Sequence, residues 1–421
     1  MLVALILFFA TYVLMLALPN IRYLTALGSA AIFAILGYIS LTDAFFAVDW
    51  NIIMMLAGTM GVVELFIQSK MPMRMSEMLL TVVPNTCWAI VVLSLFSGLI
   101  SAFVDNVATV LMLAPIALEV SKKLKISPVP VVIAIAVSSN LQGAATLVGD
   151  TTSILLGSYG GLDFFDFFWM NGKLGIFWAV ELGAIATVPV LLILFRKYKE
   201  KVDAEVTTVV TDYLPTILLL GIIVLLICAS FIPKQPALTN GYICMGMMVI
   251  GIVASLFRKG GRDTAVSVLK AMDYQTLLLL SGLFIVIQSI TNAGVIDAVA
   301  GVFLKLGGGG LFLMYTVIVF ASVIISAFID NIPYVATMLP VVTGIASGMG
   351  IAPYVLYFGL LIGATLGGNL TPVGASANVA GIGILRKGGY EVKNSDFFKI
   401  GIPFTLTAVL TGYLFIWLVW A

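Results

Sequence analysis

The chain has 421 residues, of which 61% are hydrophobic and only 10% charged, and its formal net charge is +1. A soluble domain of this length needs a charged surface, so the composition excludes a soluble globular protein and predicts an all-α polytopic membrane protein. The basic residues lie in short loops between apolar runs, where a nucleic-acid surface could not form, and the chain has no histidine to complete a metal site with its three cysteines.

The first apolar run, Leu2 to Leu18, is long enough to cross a hydrocarbon layer about 30 Å thick. It lacks the basic leader and the small-residue cleavage site of a signal peptide, so we expect a retained span. Runs of similar length follow along the whole chain. The sequence therefore predicts a multi-pass protein of the plasma (inner) membrane.

Lysine and arginine are concentrated in short segments between apolar runs, and such loops stay in the cytoplasm. These segments are Lys70/Arg74, Lys122/Lys123/Lys125, Arg196 to Lys201, Arg258/Lys259/Arg262 and Arg386/Lys387. Threading the apolar runs between them places both termini on the outside of the membrane, with the N-terminal side resting on a basic loop at Arg22.

The apolar stretch 88–121 starts after one basic loop and ends at another, with Asp105-Asn106 at its middle. It is either two full spans or a re-entrant hairpin. An Asp-Asn pair suits a turn, because short polar side chains satisfy freed backbone groups. We therefore favour a hairpin with its tip near the membrane midplane.

The next apolar segment, 129–159, cannot be one continuous helix. Its middle, Gln142 to Ser153, is dense in glycine, threonine and serine, which break helices. Unpaired backbone at membrane depth must line a cavity or be covered by protein, and its carbonyl groups are natural ion ligands. We predict a broken helix whose break approaches the hairpin tip.

The same pattern returns with an offset of 225 residues. The hexapeptide Ser101-Ala102-Phe103-Val104-Asp105-Asn106 becomes Ser326-Ala327-Phe328-Ile329-Asp330-Asn331. The offset predicts a second hairpin at 310–346 and a second broken helix at 352–385. The flanks of the second hairpin are weakly charged, so it is expected to enter from the opposite face, as in inverted-repeat transporters.

The resulting organisation is a first repeat at 1–200, a cytoplasmic linker at 201–212 and a second repeat at 213–421. We expect about ten full crossings, two re-entrant hairpins and two broken helices.

Three aspartates lie in these apolar motifs: Asp105, Asp150 and Asp330. A carboxylate at the bilayer centre costs roughly 2.5 to 3.5 kcal/mol, so a functional role is expected. Asp105 and Asp330 could instead simply cap helices. No lysine, arginine or histidine is expected at this depth, so a bound cation or a proton should neutralise the acids. For Glu64, hydrogen bonding within the scaffold and a proton relay both stay open.

The motifs resemble the ion transporter superfamily, and most closely its arsenite permease and sodium/proton antiporter branch, which is P protein-like with a citrate-transporter-like domain. The resemblance extends from about Asp49 to the C-terminus. It implies a homodimer in which hairpins and broken helices move as an elevator against a static scaffold. Two departures stand out: the tips carry aspartate where related dicarboxylate transporters carry serine, and the usual prolines after Gly149-Asp150 are absent.

We predict a main cation or proton site around Asp150 and Asp105-Asn106, and a second, more neutral site around Asp330-Asn331. Five of these residues are candidate sodium ligands: Asp105, Asn106, Asp150, Asp330 and Asn331. The full set of candidate ion- or substrate-binding residues adds Thr109, Thr146, Gly149, Thr151, Thr152, Asn369, Thr371, Gly374, Ser376 and Asn378. No catalytic residue and no cofactor is expected, apart from Na⁺ or H⁺ as coupling ion.

Several functions fit this pattern. Buried acids without buried bases favour sodium/proton antiport, or another cation/proton exchange. The breadth of the family also allows a cation-coupled permease for a small anion or metalloid, such as a carboxylate or arsenite, and less readily an ion channel. An intramembrane aspartyl protease is excluded, because no Tyr-Asp motif accompanies Gly149-Asp150 in a membrane span.

Overall fold

The structure, a computed structural model, describes residues 1–123, 126–202, 205–258, 260–306 and 310–421. Lys125 and Lys259 of the predicted cytoplasmic loops lie outside the described residues, as do two positions of the predicted linker 201–212.

The described residues of the first half form a series of α-helices connected by short segments. They are α1 (Leu2–Ala17), α2 (Arg22–Ile35), α3 (Leu41–Ala47), α4 (Trp50–Gln68), α5 (Met71–Thr81), α6 (Thr86–Ser101), α7 (Asn106–Lys123), α8 (Pro128–Gly143), α9 (Thr151–Gly160) and α10 (Ile176–Phe195).

The second half continues with helices in a matching order. They are α11 (Leu214–Ser230), α12 (Thr239–Leu256), α13 (Gly261–Ala271), α14 (Tyr274–Asn292), α15 (Val295–Leu306), α16 (Leu311–Ser326), α17 (Asn331–Met349), α18 (Tyr354–Gly367), α19 (Ser376–Lys387) and α20 (Asn394–Trp420). Helices α6, α7 and α9 each start 225 residues before α16, α17 and α19. The internal repeat of the sequence thus reappears as a repeat of elements.

Matching caps start two equivalent helices. Asp49 accepts a hydrogen bond from the Ile52 amide at 3.1 Å before α4, and Asp273 accepts one from the Thr276 amide at 3.0 Å before α14. A carboxylate at this position satisfies an amide that the helix leaves unpaired. The pairs Asp49-Trp50 and Asp273-Tyr274, 224 positions apart in the chain, therefore encode equivalent helix starts.

A small β-hairpin separates α9 from α10. Strand β1 (Trp169–Met170) pairs antiparallel with β2 (Lys173–Leu174). The turn residues Asn171 and Gly172 have φ of 52° and 77°, as a two-residue type I′ turn requires. The Trp420 indole donates to the Leu174 carbonyl at 2.9 Å, which ties the end of α20 to this hairpin.

The helices pack as two groups. Helices α1, α2, α4, α11, α12, α13 and α14 form a scaffold group, in which α2 packs on α14 and α4 on α12. Helices α6 to α10 and α16 to α20 form a second group, which we call the core group. Helix α5 contacts both groups, and so does α15. The scaffold group touches the core group directly where α4 meets α9 and α14 meets α17.

The segment after α10 is tied to α5 through Glu77. The amides of Thr207 and Thr208 donate to Glu77 Oε2 at 3.0 and 2.8 Å, and their hydroxyls donate to Oε1 at 3.3 and 2.8 Å. Burial alone would raise the pKa of Glu77, but these four hydrogen bonds outweigh it and lower the pKa below its ordinary value.

A lowered pKa in the folded state means that this contact stabilises the protein above the ordinary pKa and is lost as pH falls through the lowered value. Amide exchange at Thr207 and Thr208, corrected for intrinsic rates, should stay slow at pH values above the ordinary glutamate pKa and accelerate as the pH falls through the lowered pKa of Glu77. In Glu77→Gln the corrected rates should be pH-independent. The same acceleration in that variant would assign the effect to another group.

Among the described residues, six helical segments are long and apolar enough to cross a membrane, or seven if α1 and 19–35, bent by 112° at their junction, form one span. Shorter apolar helices are α6, α8, α11, α16 and the segment Tyr354–Leu370. These findings agree with an all-α polytopic protein. The count of ten crossings and two hairpins stays a prediction.

Candidate functional site

Both predicted hairpin tips lie at four-residue breaks between helices. Asp105 ends the break before α7, and its Oδ1 accepts from the amides of Val107 at 3.0 Å and Ala108 at 3.1 Å. Asp330 holds the same place before α17 and accepts from the Ile332 amide at 3.2 Å. Both aspartates are thus helix caps, and in each case the cap uses Oδ1 only.

Each tip is attached to the break in the following broken helix. Between α8 and α9, the Thr146 hydroxyl donates to the Ala102 carbonyl, and between α18 and α19 the Thr371 hydroxyl donates to the Ala327 carbonyl. Both bonds span 44 residues. Tip and break therefore form one unit in each half.

Asp150 connects the two halves. It precedes α9 and is only 3% exposed. Its Oδ2 accepts from the Thr152 hydroxyl at 3.0 Å and from the Asn331 amide group, at the second tip, at 3.3 Å. We expected Asn331 to join Asp330 in a separate second site. The structure instead brings Asn331 to the predicted main site.

A buried chain of amides also crosses between the halves. Asn106 donates to Asn140 Oδ1 at 2.9 Å, and Asn140 donates to Asn369 Oδ1 at 3.1 Å. Asn369 then donates to the Val137 carbonyl at 2.8 Å. These side-chain contacts fix Asn106, which follows the first tip, and Asn369, which lies in the break between α18 and α19.

A cavity of about 510 Å³ lies where the core group meets α4 and the start of α14. Six predicted site residues line it: Asp105, Asn106, Asp150, Thr151, Asn331 and Ser376. A smaller cavity, of about 170 Å³, shares Ser376, Ile332, Asp273 and Thr276 with the first and extends to Asp330. We call the larger one the acidic cavity.

The scaffold group supplies polar wall residues that the motifs did not indicate. Thr59, Glu64, Asp273 and Thr276 line the acidic cavity. Glu64 Oε1 accepts from Gln68 at 2.6 Å and from Ser267 at 3.1 Å. Glu64 is therefore both hydrogen-bonded within the scaffold and placed at the cavity. Of these residues the sequence indicated only Glu64, whereas Asp273 could have been found as the counterpart of Asp49, 224 positions earlier in the chain.

The expectation that no basic residue lies near the buried acids was wrong. Arg22, at the start of α2, donates from Nη1 to Asp330 Oδ2 at 3.1 Å, and Ser376 donates to the same oxygen at 2.7 Å. Sequence position placed Arg22 in a loop near a membrane surface, whereas the bend between α1 and α2 carries it to the second tip. Asp330 is thus neutralised by a guanidinium, which weakens its candidacy as a sodium ligand.

The other predicted site residues are buried in the backbone framework around the breaks. Thr109 donates to the Val104 carbonyl at 3.5 Å, and Asn378 donates to the carbonyls of Gly368 at 3.1 Å and Thr371 at 3.2 Å. Thr152 also contacts Thr365. Gly149 and Gly374 lie against carbonyl groups of the preceding tip. The geometry gives these residues a role in holding the breaks.

The acidic residues in the described part of the chain are spread out and do not form a compact metal-binding cluster. Within the described residues, no three His, Cys, Asp or Glu side chains come close enough together to hold a metal ion. The acidic cavity instead offers separate carboxylates among hydroxyls and amides.

Comparison with known proteins decides the family. A family model described as citrate transporter matches residues 11–363. The chain belongs to the citrate transporter family. This membership confirms the resemblance to the ion transporter superfamily. The family, together with the apolar helices, makes the chain a multi-pass integral membrane transporter and not an enzyme.

Relatives agree with this family assignment. An uncharacterized transporter of Mycobacterium tuberculosis is 32% identical over 444 residues, which cover 99% of this chain and 98% of that protein. The 46 kDa membrane protein of Mycobacterium leprae is also 32% identical, with the same coverage. Human P protein is 25% identical over 92% of this chain and 56% of its own length.

A solved structure shows the same fold. The crystal structure of the YdaH transporter of Alcanivorax borkumensis matches with a TM-score of 0.57 and 16% identity, covering 90% of this chain and 87% of that one. At this identity the likeness supports the fold of the citrate transporter family member and nothing about its substrate.

Proposed function

We propose that the protein is a secondary active cation/proton exchanger, most simply a sodium/proton antiporter, with the acidic cavity as its ion site. The observation that carries the proposal is that Asp105, Asp150, Glu64 and Asp273 line one cavity between two helix groups. Buried carboxylates need a cation or a proton to be neutral. Competition between the two for the same carboxylates is the chemistry of exchange.

In this proposal Asp150 is the central ligand. Its Oδ2 already accepts two neutral hydrogen bonds, so it is oriented but carries no compensating positive charge from these partners. Asp105 lines the same cavity, and its Oδ2 is not used by the cap, which engages only Oδ1. Asn106 and Thr151 add oxygen atoms that hard cations prefer.

We further propose that the core group moves against the scaffold group as an elevator. Support comes from the division of the helices into two groups connected through α5 and α15. The Arg22–Asp330 contact joins α2 to the second tip, so it would break when the core group moves. Opposite insertion of the two hairpins, cytoplasmic basic loops and a homodimer complete the proposal and rest on charge distribution and family resemblance.

The decisive experiment is transport by the purified protein in liposomes that contain a pH dye. Sodium, lithium or potassium outside should evoke proton movement. Asp105→Asn should abolish it and leave a folded protein, because an asparagine Oδ1 still accepts from the amides of Val107 and Ala108. Exposed Asp263, on α13, gives the matched control Asp263→Asn. Normal exchange by Asp105→Asn would reduce the acid to a cap and remove it from the ion site.

A second candidate, a cation-coupled permease for a small carboxylate, has its own supporting observation. Arg22 places a guanidinium at the smaller cavity, next to Ser376 and the N-terminus of α17. Cationic side chains and helix N-termini both favour carboxylate binding. The family model that matches the chain is described as citrate transporter.

Arg22→Gln separates the two candidates, because they predict opposite effects. If the protein exchanges cations, removing a positive charge near the cavity should lower the half-saturating cation concentration by a few-fold. If it carries a carboxylate, sodium-dependent citrate uptake should fall by about tenfold or more. Measuring both fluxes in the same liposomes decides which holds.

A further inference from the structure

A second large cavity lies away from the acidic cavity and opens to the protein surface between α5, α6 and α10. It measures about 680 Å³, and its walls are mostly aliphatic and methionine side chains. Its rim is exposed: Ile185 is 64% and Leu99 55% accessible. Helix α10 is one of the apolar candidate spans, so the opening faces lipid in a membrane.

Two polar side chains interrupt this apolar wall. Gln142, at the end of α8, is only 3% exposed, and Glu181 extends from α10. One oxygen of each, Gln142 Oε1 and Glu181 Oε1, is buried without a hydrogen-bond partner among the described residues.

The space that Gln142 occupies depends on a glycine. A Cβ at Gly98 would lie 2.4 Å from Gln142 Nε2, so the bare backbone of α6 lets the carboxamide reach the cavity. Unpaired buried acceptors are costly, typically by about 1 to 3 kcal/mol each. Two of them in one apolar cavity indicate a site that is completed by a ligand.

We propose that this cavity binds a long-chain primary amine that enters from the bilayer. Both unpaired atoms are acceptors, so the ligand must bring donors, and an ammonium group has three N–H bonds. Its positive charge complements Glu181, and an alkyl chain suits the methionine and aliphatic walls. The volume lies within the range of small-molecule sites. This site is independent of the proposed ion exchange.

The test uses the full chain in phosphatidylcholine nanodiscs with a photoreactive dodecylamine, and the labelled residues are mapped by mass spectrometry. Labelling should fall on α5, α6 and α10. Unlabelled dodecylamine should compete at least about tenfold better than dodecyltrimethylammonium, which lacks N–H donors, or dodecanol, which lacks charge.

Two variants probe the site in different ways. Glu181→Gln should reduce labelling about tenfold. Ile185→Trp, at an exposed rim position, should block the opening without altering the buried core, so it tests the site even if Glu181→Gln fails to fold. Glu119→Gln is the control, because Glu119 pairs with exposed Lys123 at 2.9 Å on α7.

The same competition experiment can also contradict the proposed amine site. Equal competition by dodecyltrimethylammonium would show that charge and chain suffice and would overturn the role of the two acceptors. Equal competition by dodecanol would make the ligand a neutral amphiphile. Undiminished labelling of both Glu181→Gln and Ile185→Trp would mean that the amine only partitions into lipid.

Discussion

Asp150→Asn is expected to abolish cation-driven proton movement while the protein stays folded. The substitution removes both the negative charge that would bind the cation and the carboxyl group that would carry the proton, so neither ion keeps its binding group. A hydrogen-bonding partner that is charged contributes about 1.5 to 3 kcal/mol, which corresponds to roughly 10- to 100-fold in cation affinity. The amide oxygen of asparagine can still accept from Thr152 and Asn331, so the junction between the halves should survive.

The liposome assay measures this effect, and size-exclusion chromatography checks the fold. Thr152→Val is an informative companion, because it removes the 3.0 Å hydrogen bond to Asp150 but keeps the carboxylate. We expect it to weaken cation binding only a few-fold. Exchange that persists in Asp150→Asn at wild-type cation concentrations would place the ion elsewhere and leave Asp150 as a bridge between the halves.

Gly149→Ala and Gly374→Ala should each destabilise the protein strongly. A Cβ at Gly149 would lie 2.6 Å from the Gly143 carbonyl oxygen and 2.8 Å from those of Ala102 and Ser101. A Cβ at Gly374 meets the equivalent oxygens at 2.6 to 2.9 Å. These are backbone atoms of the tip and the break, so a rotamer change cannot relieve the overlap, and a cost of about 3 kcal/mol is expected.

Thermal unfolding in detergent, followed by the loss of monodisperse protein, tests this prediction. Gly246→Ala is the matched control, because a Cβ at that position in α12 meets no atom within 4 Å, and alanine is the better helix former. The control should match or exceed wild type. If both break variants unfold at the control's temperature, the tips are held more loosely than the contacts indicate.

The positions of the tips and breaks could be predicted from the internal repeat, because helix caps and helix breaks are encoded by residues that are close together in the chain. Helix α7 starts directly after Asp105, and α9 directly after Asp150, where capping residues and glycine-rich segments already indicated boundaries. Such features depend on neighbours within a few residues, so a single sequence contains the information.

Contacts between the halves could not be predicted in the same way. Asn331 lies 181 residues from Asp150, and Arg22 lies 308 residues from Asp330. Repeat symmetry even misled us, since it grouped Asn331 with its own half. Charge patterning likewise assigned Arg22 to a surface loop. Nothing in the sequence around the bend between α1 and α2 specifies that the start of α2 reaches the second tip.

The amide chain through Asn140 and Asn369 has a further consequence for energetics. The repeat equivalents of these residues are Thr365 and Ala144, so the chain has no mirror-image counterpart, and the Arg22–Asp330 pair has none at Asp105 within the described residues. In a transporter whose two end states exchange the conformations of its halves, perfect symmetry would make those states equal in free energy. If the halves exchange conformations in this way, unmatched contacts such as these would give one end state the lower free energy, and Asn140 and Arg22, neither of them proposed as an ion ligand, would contribute to that difference.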